Sequence, residues 1–100
     1  GFRAKGDQVF QNVTVRNADG EIVSYADMIV VREGKVRYVV EAKSGRANLS
    51  RGQANFQEMV RTNEPFNFTG KNAVGIPGAN ELQTWPNVQY RQIGPTDPVP

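Results

Sequence analysis

Two runs, IVSYADMIVV (residues 22–31) and KVRYVVEA (residues 35–42), flank the tripeptide Arg32-Glu33-Gly34. Both runs are rich in β-branched and aromatic residues and too short for buried helices, so each is a predicted strand. The tripeptide between them is a predicted three-residue hairpin loop, with Gly34 at the position that favours left-handed backbone. That register pairs Val31 with Lys35 and sets Asp27 opposite Val39. Even-numbered residues then share one face: Ala26, Met28, Val30, Val36, Tyr38, Val40 and Ala42, almost all apolar. Odd-numbered residues share the other: Tyr25, Asp27, Ile29, Val31, Arg37, Val39, Glu41 and Lys43. Asp27 falls diagonal to Glu41, at roughly 7–8 Å between backbones. A two-residue loop would send the two carboxylates to opposite faces unless a bulge restored the parity.

Upstream, VFQNVTVR (residues 9–16) is a third predicted strand, joined to the second by Asn17-Ala18-Asp19-Gly20, which has turn chemistry. The three strands form a predicted antiparallel meander. Downstream, Ser50-Arg51-Gly52-Gln53 matches a capping box with Leu49 as its hydrophobic staple. A helix is expected from 51 to 62, burying Phe56, Met59 and Val60, with Asn63-Glu64-Pro65 ending it. Lys71 to Ile76 and Val88 to Ile93 read as further strands, Trp85 as a satellite core residue, and residues 95–100 as an extended tail. The fold class is α/β in the α+β sense: a meander plus a mixed sheet packed on one main helix, a single domain over residues 1–94.

Composition limits the chemistry. A chain of 100 residues with 38% hydrophobic and 22% charged residues makes one globular core. It contains no His and no Cys, which excludes imidazole bases, Ser-His-Asp triads, disulfides, thiolate nucleophiles and zinc fingers. Any metal would be held by oxygen. The net charge of +2 permits a polyanionic partner without requiring one. No apolar run reaches the ~18 residues of a membrane span, and no signal sequence opens the chain. The absence of an initiator Met suggests a piece excised from something longer, and the sequence does not reveal its compartment.

The pattern that carries chemistry is Asp27, thirteen residues, then Glu41-Ala42-Lys43. Two carboxylates on one face of neighbouring strands repel, and a divalent cation relieves the repulsion by coordinating both. The Ala42 carbonyl could add a third oxygen, and Lys43 could orient or deprotonate water attacking a phosphate. A second Glu-x-Lys, Glu33-Gly34-Lys35, falls in the turn and is set aside. The bland alternative is a solvated strand end beside a surface carboxylate.

Asp27…Glu41-Ala42-Lys43 resembles the core of the PD-(D/E)xK, or restriction-endonuclease-like, nucleases. Val39-Val40-Glu41-Ala42-Lys43-Ser44-Gly45, followed by Leu49-Ser50 and Gln53, resembles the family's bacterial toxin branches, including the C-terminal nuclease domains of contact-dependent inhibition toxins. The resemblance spans about residues 25 to 60. It implies Asp27 and Glu41 as metal ligands for Mg²⁺, Mn²⁺ or another divalent ion, with Lys43 as the catalytic lysine. Gln53 becomes an auxiliary polar residue near the site, although it fits the capping box equally well. It further implies a nucleic acid substrate, DNA slightly ahead of tRNA, a cognate immunity protein, and a secreted toxin acting in a target cell's cytoplasm. The family's N-terminal helix, often bearing a further Glu, is not visible, so either the start is truncated or this branch has lost it. Ala26 stands where the family's Pro precedes the first Asp. Arg46, Arg51 and Arg61 are candidate phosphate contacts, or a solvated face, and Tyr25 is a candidate base-stacking residue or simply rim packing. The alternative from another class is a non-catalytic binding module, a degenerate nuclease fold or an immunity protein.

Overall fold

The structure, a computed structural model, describes residues 6–42 and 51–93. It is an α+β fold in which strands β1 (Gln8–Arg16), β2 (Ile22–Arg32), β3 (Lys35–Ala42), β4 (Asn67–Thr69) and β5 (Gln89–Ile93) form one mixed sheet in the order β4-β1-β2-β3-β5. All neighbours pair antiparallel except β3 and β5, which run parallel. Helix α1 (Arg51–Arg61) packs against β2 and β5. Among the described residues no helix is long and apolar enough to cross a membrane.

Local chemistry sets most of these boundaries. Asn17 Oδ1 accepts from the N–H groups of Asp19 and Glu21, both at 3.0 Å, closing the β1–β2 turn. At the end of α1, Asn63 adopts left-handed backbone with φ 58°, while Glu64 N–H bonds Met59 C=O and Asn63 N–H bonds Val60 C=O. That pair of bonds caps the helix and releases the chain into Pro65. Phe56 is fully buried, with Met59 and Val60 packed beside it, as the helical spacing predicts. Trp85 joins the core as expected, donating Nε1–H to Phe66 C=O at 2.8 Å and stacking on Phe66.

Three expectations need correction. The β2–β3 loop has two residues, not three, because Arg32 pairs with Lys35 across Glu33 (φ 55°) and Gly34 (φ 75°). Positive φ at both central positions gives the hairpin the tight turn that matches strand twist. A β-bulge then shifts the register between Val30 and Val31, leaving Arg37 as the extra residue, and beyond it Ile29 faces Val39 and Met28 faces Val40.

The second correction concerns the faces, which are not simply odd and even. The two-residue turn sets Val36 opposite Val31 in the helix-side core, and the bulge after it returns Val39, opposite Ile29, to the same core. Ala26 joins that core too, because the β1–β2 ladder skips Asn12 and Asp27, and Asn12 is left-handed at φ 55°. The opposite face keeps only a small cluster, Val30 and Val40 under Val9, Met28 and Tyr38.

The third is the expected strand at Lys71–Ile76, which is a 3-10 turn at Lys71–Ala73 bracketed by Gly70 (φ 89°) and Gly75 (φ 99°). Asn72 docks it by donating to Asn12 C=O at 3.1 Å. The turn packs on β1, burying Ala73 and Ile76. The predicted tail at 95–100 lies outside the described residues.

Candidate functional site

Glu41 sits one residue from the end of β3 and is completely buried on the helix-side face. Carrying the register one step past Met28 and Val40 places Asp27 directly opposite it, closer than the expected diagonal. The two-residue turn and the bulge together produce this pairing, since either one alone would separate the carboxylates. Glu41 Oε2 accepts from the Asp27 backbone N–H at 3.3 Å and from Gln53 Nε2 at 3.1 Å. Glu41 Oε1 is buried and has no hydrogen-bond partner among the described residues.

The electrostatics follow from that enclosure. Burial first, and then the negative charge of Asp27, push the Glu41 carboxyl up to about 7, against the opposing effect of the Asp27 N–H and Gln53 bonds. Tyr90, facing the same site from β5, is pushed above the ordinary phenol range by burial and then by the Glu41 charge. Its ring packs edge-on against Phe56, at 5.8 Å between centroids. Sequence reading passed over Tyr90 because nothing local marks it. Its place depends on β5 joining β3 in parallel, with Tyr90 beside Val39.

Gln53 reaches the site because α1 lies close to β2. Gly52 permits that approach, as a Cβ there would stand 2.6 Å from the Val23 carbonyl oxygen. Replacing Gly by Ala in a helix is ordinarily worth about 1 kcal/mol in its favour. Here Gly52→Ala is expected to cost about 1–3 kcal/mol instead, since backbone must move to relieve the overlap. A chemical-denaturation midpoint below that of the parent would show it.

The other expected site residues are placed as follows. Ala42 closes β3, next to Glu41 and level with Ile93 of β5. Lys43 and Arg46 lie outside the described residues, as does Ser50 of the capping box. Arg51 opens α1 and is exposed. Arg61 closes it and pairs with Glu58, with Nε donating to Oε2 at 2.9 Å. Arg61 lies eight positions beyond Gln53, about 12 Å at 1.5 Å per residue, so it does not converge on Glu41. Tyr25 is 61% exposed between buried Ser24 and Ala26, turned away from the helix side, and does not share the Glu41 face as expected.

The donor set fits a hard divalent cation. It offers two adjacent carboxylates, one with an unpartnered buried oxygen, and both share a charge that a cation would neutralise. Among the described residues no group of three or more acidic, His or Cys side chains gathers, so backbone carbonyls and water would complete the shell. Comparison with protein-family models, curated proteins and solved structures returned no match to this chain.

Proposed function

We propose that this domain is a metal-dependent nuclease with a restriction-endonuclease-like site, deployed as a bacterial toxin domain. One observation carries the reading. The fold buries Glu41, fixes one carboxylate oxygen with two donors, and leaves the other unpartnered beside Asp27. A strand end kept only for solubility would leave the carboxylate in water; this one is held where its charge is costly.

Asp27 and Glu41 would hold Mg²⁺ or Mn²⁺, with the Ala42 carbonyl as a further donor. Bound there, the ion supplies a polarised water and a positive charge beside the scissile phosphate. Gln53 and the Asp27 N–H keep the Glu41 carboxylate in one orientation, so its free oxygen needs no rearrangement on binding. Lys43, two residues beyond Glu41, is assigned by resemblance to orient the attacking water or offset charge growing on the phosphate. A cognate immunity protein covering this site belongs to the same proposal.

The test incubates the domain with plasmid DNA and with total tRNA, each with Mg²⁺, with Mn²⁺ and with EDTA. Glu41→Gln and Lys43→Ala variants run alongside. Metal-dependent cleavage, DNA ahead of tRNA, that both variants abolish is the expected result. Cleavage of neither substrate under any condition would reject the nuclease and favour a non-catalytic binding module built on the same buried pair.

A further inference from the structure

On the sheet face away from α1, the bulge at Arg37 has a second effect. An extra residue in a strand re-aims the side chains beside it. Here Arg37 and Tyr38 both line one pocket of about 200 Å³, together with Arg32, Glu33, Asn87 and Gln89. Arg32 is held rigid by a two-point bond to Asp7, at 2.8 and 2.9 Å, and its guanidinium carbon lies 5.6 Å from the Tyr38 ring centre. Arg91 projects to the same ring from the edge strand β5, at 5.4 Å. Arg37 Nε is buried and has no hydrogen-bond partner among the described residues.

Two guanidiniums, Arg32 and Arg37, therefore line one concave site, with Arg91 beside it over the Tyr38 ring and the carboxylates of Asp7 and Glu33 nearby. One of them has a donor that the described residues do not satisfy. Amides from Asn87 and Gln89 add neutral donors. This is chemistry that receives a tetrahedral oxyanion: an unsatisfied guanidinium donor at Arg37, amides beside it, a further cation at Arg91 next to the pocket, and a cavity of the right size for one group.

We propose that this pocket binds a backbone phosphate of nucleic acid. The choice of nucleic acid rests on the nuclease reading; the phosphate chemistry does not. β5 connects the two places, presenting Tyr90 toward Glu41 on one face and Arg91 toward Tyr38 on the other. Among the described residues it is the edge of the sheet, so a single strand can bend over it and touch both sites.

The test measures binding, not cleavage. A fluorescently labelled single-stranded DNA 12-mer is titrated with the full chain in EDTA across a range of salt concentrations, using the parent, Arg37→Gln and Arg91→Gln. Each variant is expected to raise Kd on the order of fivefold and to reduce the log–log salt slope by about 0.7 per lost contact. Pyrophosphate is expected to displace the oligonucleotide from the parent. Arg91 lies on an exposed edge, so its variant keeps the test valid if the bulge tolerates no change at Arg37. Parent-like affinity and slope in both variants would overturn the proposal, as would failure of the parent to bind the 12-mer. Binding that depends on Arg37 in a protein that cleaves nothing would sink the nuclease reading and leave this site standing. Cleavage with both variants binding normally would do the reverse.

Discussion

Glu41→Gln is expected to make the metal-free protein more stable at pH 8 while removing its response to metal. The carboxyl is raised from its ordinary value of 4.5 to about 7 in the folded chain. The folded state therefore holds a proton that the unfolded chain releases between those values. The stability this contributes is fully present below pH 4.5 and is lost as pH rises through 7. At pH 8 the folded chain carries a buried, ionised Glu41 beside Asp27. Relieving that strain is worth about 1–3 kcal/mol once solvent screening is allowed for, or a Tm rise of roughly 5–15 °C in a chain of this size. A Gln at 41 keeps its carbonyl toward Gln53 and the Asp27 N–H, and turns its new donors toward the carboxylate side. Near pH 4.5 the parent and variant should melt together.

Metal offsets that advantage. Millimolar Mg²⁺ or Mn²⁺ is expected to raise the parent's Tm at pH 8, by about 1–3 kcal/mol of linked binding energy. The gain should shrink as pH falls below 7 and the carboxyl takes up its proton. Glu41→Gln should show no gain at any pH, and its cleavage rate should fall by on the order of 10²-fold or more. Thermal melts at pH 4.5 and 8, with and without metal, check the whole pattern. A variant less stable than the parent at pH 8 would mean that the charged form of Glu41 is what the fold requires.

The second large effect is structural. Phe56→Ala is expected to cost about 3–5 kcal/mol, a large share of the 5–15 kcal/mol that holds a small domain together. Phe56 is fully buried and meets Phe66 edge-on at 5.0 Å and Tyr90 at 5.8 Å. It therefore joins α1, the segment after it and β5 in one contact. It also lies one turn after Gln53, so a helix loosened there no longer holds the Glu41 carboxylate in register. A urea midpoint well below the parent's, with the slope unchanged, is the expected reading. Phe56→Leu, which keeps most of the volume, should lose under about 1.5 kcal/mol.

Features controlled by local chemistry are legible in the residues. β-Branched and aromatic enrichment in residues 9–16, 22–31 and 35–42 specifies three strands, and Asn17 to Gly20 specify their first turn. The spacing of Phe56, Met59 and Val60, with Asn63-Glu64-Pro65 as the stop, specifies the helix. The pair Asp27 and Glu41 could be singled out because two acidic residues in apolar strands need a reason to be there. Whether those two carboxylates meet depends on register set by distant packing. Strand side chains alternate with period two, so the short turn at Glu33-Gly34 shifts every residue of β3 to the wrong face, and the bulge at Arg37 shifts them back. Nothing in the hairpin's own residues requires that bulge; burying Val36 and Val39 in the same core does. Gln53 and Tyr90 reach Glu41 by the same logic, one from a helix that approaches through Gly52 and the other from a parallel strand far along the chain. Register, face and encounter are set by how distant segments share one core, and that information is not local.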